Sequence, residues 1–400
     1  MIHMRKSRTL SGIFIRALEV LSFLILLFVI LVNIFMVWAS RDKTLDFGSF
    51  AAAGVNLKNG KDPYDVRSPL IFEIHFRSLE AGGRLPNLNP PITLPFFSIL
   101  SEENVHEAAN IWRLISAGCY VATVLLLAQK YQISPLQLVW SFSLAGFWHT
   151  IELGQIYVPL LVLASLFLVY SDKNRPILSG ISLGLLISIK PNFLVWLIFI
   201  FLQRKWKTAL VTVMTAIAVA LIPFFFYGHS VYFQWLEVIE VNRQILAMPG
   251  NSSIPGLFAR LGHLQFAWPV TAALLLTVVL LALRTPRHVT HKPRGGLDET
   301  GLIVSLLISP ISWAGYTMLL LPLFLTEKHW TWNQIAAAAI LAIPFLFILN
   351  LFEVSNGYAI FWGSIYMLPL ILCLIENLRS LTLGYRLTDI PASEAPDHQK

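Results

Sequence analysis

Two charged residues, Asp46 and Lys190, border long apolar runs in this sequence. Asp46 follows the first run, residues 17–39, and Lys190 ends another, residues 177–189. A carboxylate at a membrane boundary can act as a general base, because partial desolvation raises its pKa. An ammonium group near hydrocarbon is a candidate ligand for an anionic substrate group, because it is costly to bury alone. Structural roles are equally open at this point: Asp46 can cap a helix, and Lys190 can extend to the lipid–water interface.

Five further residues fall near the same predicted membrane boundary. They are Asn89, Gln155, Ser309, Ser312 and Trp313. Each has an ordinary explanation as a turn residue, a helix–helix hydrogen-bonding group or an interfacial tryptophan. Together with a carboxylate and a cation, they suit an anionic substrate that is linked to a lipid. We therefore predict that Asp46 is catalytic and that Lys190 and these five residues bind the substrate or its phosphate.

The sequence offers little support for metal or thiol chemistry. Asp42 and Asp46 could share one helical face, but Arg41 and Lys43 flank them and no histidine follows at ligand spacing. Glycine-rich phosphate loops and Ser-His-Asp arrangements are absent in any recognisable spacing. The two cysteines stand singly inside apolar runs, which argues against a disulfide framework or a thiolate metal site. We expect neither a metal nor a cofactor.

The composition is that of a membrane protein. Of the 400 residues, 56% are hydrophobic and 13% are charged, and the mean hydropathy is +0.68. Soluble domains have about 45–50% apolar and about 25% charged residues. The net charge of +7 comes from basic residues in short runs between apolar blocks. That pattern orients membrane spans, so we expect membrane lipids as partners and no nucleic acid.

The elements that must position these residues are apolar helices. The apolar blocks lie at 17–39, 107–128, 136–150, 156–170, 177–189, 192–202, 209–227, 266–284, 301–313, 316–326, 333–351 and 358–375. They predict an all-α polytopic membrane protein with about 10–12 transmembrane helices. The first block exceeds the usual length of a signal-peptide core, so we interpret it as an uncleaved span with a cytoplasmic N-terminus. The distribution of basic residues then puts Asp46 on the extracytoplasmic side of the cell membrane.

One membrane domain is predicted over residues 1–386, followed by a disordered cytoplasmic tail, residues 387–400. It contains two long extracytoplasmic loops, residues 40–106 and 228–265. In the first loop, apolar residues near helical spacing predict a short amphipathic helix at the membrane surface, which would end at Asn59-Gly60. A later segment, Ile92 to Leu100, is too short to span and is expected to lie flat or re-enter.

Several short motifs occur in a characteristic order along residues 46–322. They are Asp46-Phe47 with Ala51-Ala52, Gly60-Lys61-Asp62-Pro63-Tyr64-Asp65, Asn89-Pro90-Pro91, Gly154-Gln155, Lys190-Pro191, Arg204-Lys205-Trp206 and Ser309-Pro310-Ile311-Ser312-Trp313. The ordered set resembles the membrane glycosyltransferases of family 87, which are polyprenyl-phosphate-mannose-dependent mannosyltransferases of the GT-C class.

The resemblance implies a GT-C-like helical bundle that moves a sugar, expected to be mannose, from a polyprenyl-phosphate donor to a lipid or glycan acceptor. Asp46 matches the first-loop acid of the family and would deprotonate the acceptor hydroxyl. Lys190 would stabilise the departing phosphate, so that catalysis would not strictly need a metal. Attack opposite the phosphate would invert the anomeric configuration.

One motif departs from the family pattern. After Ser-Pro-x-Ser-Trp the family usually has an acidic residue and histidines, whereas this chain has Ala314, Gly315 and Tyr316. The departure could indicate another acceptor, another sugar or an inactive homologue. His149, at the outer end of its predicted span, is a candidate substitute in space.

Two functions without chemistry are alternatives. The chain could be a transporter or flippase for lipid-linked sugars, or a non-catalytic protein of envelope assembly. Transporters mostly have short connections and inverted repeats, whereas this chain has a long first loop and no evident repeat. These features favour the enzyme.

Overall fold

The structure, a computed structural model, describes residues 2–40, 44–71, 73–76, 81–100, 104–241, 243–284, 296–354 and 356–388. Within these ranges the chain is almost entirely helical. The helices are, in chain order, α1 (Ile2–Ala39), α2 (Leu45–Lys58), α3 (Leu94–Leu100), α4 (Val105–Tyr131), α5 (Pro135–Ser143), α6 (Ala145–Leu153), α7 (Tyr157–Asp172), α8 (Pro176–Ile189), α9 (Trp196–Leu202), α10 (Trp206–Tyr227), α11 (Ser230–Val241), α12 (Ile254–Arg260), α13 (Ala267–Arg284), α14 (Leu297–Ile308), α15 (Leu321–Thr326), α16 (Trp332–Leu341), α17 (Phe345–Phe352), α18 (Asn356–Gly363) and α19 (Met367–Thr388).

One antiparallel hairpin interrupts the helical pattern between α2 and α3. Its strands are β1 (Glu73–Phe76) and β2 (Ala81–Arg84), and Glu73 lies opposite Arg84. Two strands alone make a marginal element. The helices therefore carry the fold, and the predicted all-α class is confirmed with this small addition.

Several helices are long and apolar enough to cross a membrane. In the described part of the chain these are Arg16–Ala39 of α1, α4, α10 and Leu264–Arg284, which includes α13. Two bent pairs qualify jointly: α16 with α17 at 78°, and Gly357–Gly363 of α18 with Met367–Thr382 of α19 at 48°. Only 6% of the apolar window of α1 is buried, so its side chains need lipid around them. The multi-pass membrane architecture is confirmed.

The other apolar blocks form shorter helices in the interior of the bundle. For example, α7 has 16 residues and α8 has 14. At about 1.5 Å per residue they extend about 21–24 Å, less than the ~30 Å of hydrocarbon. Residues on most sides of α7 and α14 are buried, which places both helices in the core. The predicted number of about 10–12 spans therefore stays a prediction.

Helix α2 has the predicted position but a different environment. It ends at Lys58, and Asn59 and the left-handed Gly60 (φ 65°) follow it, as expected. Its first ten residues are mostly buried by protein, and Phe50 packs on Phe97 of α3 at 4.8 Å between ring centroids. The first ten residues are thus enclosed by protein and do not present an exposed polar face, while the position of the helix at the membrane surface stays a prediction. The physical reason is the small-residue stretch Ala51–Gly54, which lets α3 approach closely, since a Cβ on Gly54 would lie 2.7 Å from the Ser98 backbone.

The predicted end of the membrane domain at residue 386 stays a prediction. Helix α19, in which that residue lies, continues through Thr388. Residues 389–400 lie outside the described ranges, so the disordered tail stays a prediction for that part.

Candidate active site

Asp46 lies in the first turn of α2 and bonds to a distant residue. The N-cap of the helix is Thr44, so Asp46 is the second helical residue and not the cap. The Gln155 side-chain amide donates a hydrogen bond to Asp46 Oδ2. Leu45, immediately before, has a φ of 42°, a left-handed conformation that is strained for a residue with a Cβ. Such strain is common beside functional groups.

A glycine at the end of α6 allows Asp46 and Gln155 to meet. Gly154 ends the helix with a φ of 71°, and a Cβ there would lie 2.8 Å from Phe47 Cβ. Trp112 Nε1 donates to the Gly154 carbonyl at 2.9 Å, which holds the end of α6 in place. The Gly154-Gln155 break predicted from the sequence is therefore the point where α2 approaches α6.

The last turns of α6 add two ionisable groups near Asp46. His149 Nδ1 and Glu152 Oε2 are 4.0 Å apart, and both residues act electrostatically on Asp46. The His149 ring lies 3.9 Å from the Phe345 ring, centroid to centroid. Its Nδ1 is buried and has no hydrogen-bond partner among the described residues. His149 is thus near Asp46, and its role as a substitute for the missing family histidines stays a prediction.

The surroundings of Asp46 change its affinity for protons. Desolvation by burial raises the pKa of the Asp46 carboxyl above its usual value. The hydrogen bond from Gln155 and the charge of His149 lower the pKa, and Glu152 raises it further. Burial has the largest effect, so the net pKa is raised. This is the direction that increases the basicity of the carboxylate.

Lys190 occupies the break between two apolar helices. It follows α8 in an extended conformation, as expected for a residue that precedes a proline. Its Nζ lies 5.9 Å from the ring centroid of Tyr157 and 6.0 Å from that of Tyr316. In the part of the chain that the structure describes, Lys190 forms no ion pair. Lys190 is therefore not ion-paired with Asp46, and its predicted role in binding the phosphate stays a prediction.

Tyr157 interacts with both charged residues of the region. Its ring packs on that of Tyr316 at 4.2 Å, and Asp46 acts on it electrostatically. Aromatic faces attract a cation over distances of about 6 Å. The ammonium group of Lys190 is thus held by two rings and not neutralised by a carboxylate.

The departure from the family pattern has a structural counterpart. A Cβ on Gly315 would lie 2.4 Å from Tyr157 Cδ2 and 2.8 Å from Thr150 Oγ1. Gly315 therefore permits the close approach of Tyr157 to the segment that follows Trp313. The residues that replace the expected acid and histidines form part of the aromatic support of Lys190.

The Ser-Pro-x-Ser-Trp segment is tied to the Lys190 turn. Asn192 Nδ2 donates to Ser309 Oγ at 3.1 Å, and Ser309 Oγ donates to the Ile311 carbonyl at 2.7 Å. The backbone N–H of Ser312 donates to Asn251 Oδ1 at 2.9 Å. The Ser312 hydroxyl is buried without a partner among the described residues. Trp313 directly precedes the 3₁₀ turn Ala314–Leu320, which includes Tyr316.

Asn89 has a local role in the structure. Its side-chain amide donates to Asn87 Oδ1 at 3.0 Å, and its carbonyl accepts from the Tyr64 hydroxyl at 2.9 Å. These bonds stabilise the loop before α3. They do not connect Asn89 with Asp46 or Lys190.

Two residues of this region were not predicted from the sequence. Glu152 carries a detectable signal, since it is a carboxylate three residues after His149 at the end of an apolar block. Tyr157 carries no such signal in the sequence, because a tyrosine at the end of an apolar helix is common.

The described residues contain no cluster of three or more His, Cys, Asp or Glu side chains that could hold a metal ion.

Comparisons with known proteins identify a family and two similar mannosyltransferases. The profile of glycosyltransferase family 87 matches residues 87–310. Over 210 residues the chain is 27% identical to a polyprenol-phosphate-mannose-dependent alpha-(1-2)-phosphatidylinositol mannoside mannosyltransferase of Mycolicibacterium smegmatis, covering 48% of this chain and 47% of that protein. Over 179 residues it is 26% identical to the polyprenol-phosphate-mannose-dependent alpha-(1-2)-phosphatidylinositol pentamannoside mannosyltransferase of Mycobacterium tuberculosis, covering 44% and 41%.

The matched region spans about half the length of these curated relatives. Among solved structures, ArnT from Cupriavidus metallidurans bound to undecaprenyl phosphate is similar, with a TM-score of 0.38 and 12% identity over 90% of this chain and 78% of that one.

Proposed function

The chain belongs to glycosyltransferase family 87, and we propose that it transfers mannose from a polyprenyl-phosphate carrier to a hydroxyl group of a lipid or glycan acceptor. The matched relatives are named for this donor. The observation that carries the proposal is that Tyr157 interacts with both charged groups: its ring lies 5.9 Å from Lys190 Nζ, and Asp46 acts on it electrostatically. A basic carboxylate and an unpaired ammonium group are the groups that such a transfer needs.

In the proposed reaction, Asp46 accepts the proton of the acceptor hydroxyl. The oxygen then bonds to the anomeric carbon of the sugar as the bond from that carbon to the phosphate oxygen breaks. The electron pair of that bond remains on the departing phosphate, and the sugar inverts its configuration. Lys190 stabilises the negative charge that develops there. No carboxylate among the described residues pairs with Lys190, so its amino group is free to bind the departing phosphate.

His149 and Glu152 take the place of the polar residues missing after Trp313. The buried Nδ1 of His149 has no hydrogen-bond partner among the described residues and lies 4.0 Å from Glu152. We assign this pair to binding hydroxyl groups of the sugar or acceptor beside Asp46. The reaction takes place on the extracytoplasmic face of the membrane, because the basic residues of the short connections concentrate on the other side.

Asp46→Asn tests the assignment most directly. The amide keeps the size of the side chain but cannot accept the acceptor proton. We expect turnover of labelled polyprenyl-phosphate mannose with a membrane-lipid acceptor extract to fall by at least about 100-fold, while the variant still binds the donor. Asp65→Asn is the matched control, because Asp65 lies in the same loop and pairs only locally, with Arg67 at 2.7 Å.

Near-original turnover in the Asp46→Asn variant would show that Asp46 is not the base. If the purified wild-type protein moved the lipid-linked sugar across vesicles without transferring it, a flippase would replace the enzyme.

A further inference from the structure

A second polar region lies at the other end of the helices from Asp46. It is a cavity of about 750 Å³, lined by the loops that join α7 to α8 and α9 to α10 and by the end of α13. Helix α8 begins at this cavity with Pro176 and ends next to Lys190. Its 14 residues separate the two sites by about 21 Å. The cavity is thus distinct from the candidate active site.

Two carboxylates near this cavity, Asp298 and Asp172, are paired with lysines. Lys205 Nζ donates to Asp298 Oδ2 at 2.7 Å and to Ser171 Oγ at 2.7 Å. Gln203 Nε2 donates to Asp298 Oδ1 at 2.5 Å. Asp172, on the same side, accepts from Lys130 at 2.6 Å. Neither carboxylate is left to neutralise another cation.

Three cations of the cavity wall remain unpaired. Arg175, Arg204 and Lys207 line the cavity and are exposed, and none forms an ion pair with a described residue. They come from two different loops, so the fold and not one local run of sequence brings them together. A cavity with such a wall attracts a compact anion.

The backbone strengthens the positive potential. Helices α8 and α10 begin at the cavity with Pro176 and Trp206, and neither has an acidic residue in its first turn. Their N-terminal dipole ends are therefore uncompensated. Arg204 has a φ of 55°, a conformation that glycine adopts without strain and arginine does not. Backbone preference alone does not account for an arginine at this position.

The cavity also borders the lipid-facing surface. Trp206 and Leu283 line it and are 61% and 64% exposed. They belong to α10 and α13, which are both long enough to span a membrane. An anion bound here would sit where these helices leave the hydrocarbon, so that attached acyl chains could lie along them. A water-soluble anion has no acyl chains and would gain nothing from the apolar residues at the edge of the cavity.

We propose that the cavity lined by Arg175, Arg204 and Lys207 binds the phosphate headgroup of an anionic membrane phospholipid. Basic pockets between helix ends are suited to such headgroups. The site is independent of the proposed sugar transfer, and its test does not depend on activity.

The first experiment measures lipid binding to the purified full-length chain in neutral detergent by native mass spectrometry. The probes are phosphatidylglycerol and phosphatidylcholine. Arg175→Gln/Lys207→Gln is compared with Lys328→Gln/Arg379→Gln, which removes the same charge outside this cavity. We expect the first variant to bind phosphatidylglycerol about 25-fold more weakly, since each basic residue contributes roughly fivefold. Equal losses in the two variants, or an equal loss of phosphatidylcholine binding, would refute the proposal.

Arg204→Gly separates binding from folding. Glycine relaxes the left-handed backbone, so thermal unfolding should be unchanged or shifted to higher temperature. Phosphatidylglycerol binding should still weaken by roughly fivefold. Undiminished binding would contradict the role of this cation. Competition with inorganic phosphate identifies the source of the anion: displacement of the lipid by an equal concentration of phosphate would overturn the assignment to a lipid.

Discussion

The side-chain amide of Gln155 donates a hydrogen bond to the Asp46 carboxylate, although the two residues are 109 positions apart in the chain. The bond joins the first turn of α2 to the residue that follows the end of α6. It also holds Asp46 near two other residues. The charge of His149 acts on Asp46, and the charge of Asp46 acts on Tyr157. The Tyr157 ring in turn lies 5.9 Å from Lys190 Nζ, so this tyrosine interacts with both charged groups.

Gln155→Ala removes a hydrogen bond that lowers the pKa of Asp46. The pKa of the carboxyl should therefore rise further, and the acidic limb of the pH–rate profile should move to higher pH. The maximal rate should fall about 10-fold or more, because the carboxylate also loses its orientation. The measurement is kcat against pH with the polyprenyl-phosphate donor.

Asn333→Ala serves as the control for that prediction. Asn333 Nδ2 donates to Glu376 Oε2 at 3.1 Å, so the substitution also removes an amide–carboxylate bond, but away from Asp46. Its pH–rate profile should match that of the wild type. A profile for Gln155→Ala that does not move would mean that Asp46 does not set the acidic limb.

Asp46→Asn should stabilise the protein while it abolishes turnover. Folding raises the pKa of the Asp46 carboxyl, so the folded protein binds this proton more tightly than the unfolded chain does. The contribution of Asp46 to the free energy of unfolding therefore falls as pH rises from the unfolded pKa of about 4 through the folded pKa. The asparagine amide is neutral at every pH, so the variant does not lose stability across this range. The variant's advantage in thermal unfolding temperature should grow across that window and then level off.

Asp65→Asn should behave in the opposite way. The hydrogen bonds from Arg67 lower the pKa of Asp65, so its charged form contributes stability above its unfolded pKa. Removing that charge should leave the unfolding temperature unchanged or slightly lower at neutral pH. A stabilised Asp65→Asn variant, or a destabilised Asp46→Asn variant, would contradict the assigned directions.

Gly154→Ala should destabilise the protein and separate α2 from α6. Alanine would face both a φ of 71° and a contact of 2.8 Å with Phe47 Cβ. Gly60→Ala, at a φ of 65° with nothing within 4 Å, faces the backbone strain alone. We expect a loss of about 1 kcal/mol for Gly60→Ala and about 2–4 kcal/mol for Gly154→Ala. The free energy of unfolding in denaturant and the turnover are measured for both variants. Equal losses of stability in the two variants would show that the contact with Phe47 does not contribute.

Lys190→Gln should impair catalysis without loss of stability. The side chain is partly buried, and removing a cation that has no carboxylate partner costs the fold little. If Lys190 stabilises the departing phosphate, kcat should fall by about 10²–10³. Lys130→Gln is the matched control, since Lys130 pairs with Asp172 at the other end of the helices. Unchanged turnover in Lys190→Gln, or an equal loss in the control, would rule out the assigned role.

Local features of this fold were predictable because they depend on local physics. Apolar runs require helices in lipid, and Asn59-Gly60 ends α2 because glycine accepts a left-handed φ. Lys190-Pro191 breaks an apolar run because proline restricts the residue before it. Such signals are readable without knowing which helices are neighbours.

Contacts between distant elements were predicted less well. The sequence put Asp46 and Gln155 near the same membrane boundary, but it did not show that Gln155 bonds to Asp46 or that two tyrosine rings lie about 6 Å from Lys190 Nζ. Asn89 was expected in the site, but its side chain bonds to Asn87. Residue type and spacing alone do not show which distant side chains contact Asp46, Lys190 or Asn89.

By itself the sequence determined the membrane class, the helical composition, the positions of the breaks and the resemblance to family 87. Only the tertiary structure decided that α2 is enclosed by protein, that Asp46 meets Gln155, and that Gly315 makes room for Tyr157 beneath Lys190. The reason is physical. Hydrophobic periodicity sets which residues form a helix, but the choice of neighbouring helices depends on the fit of side chains that are far apart in the chain.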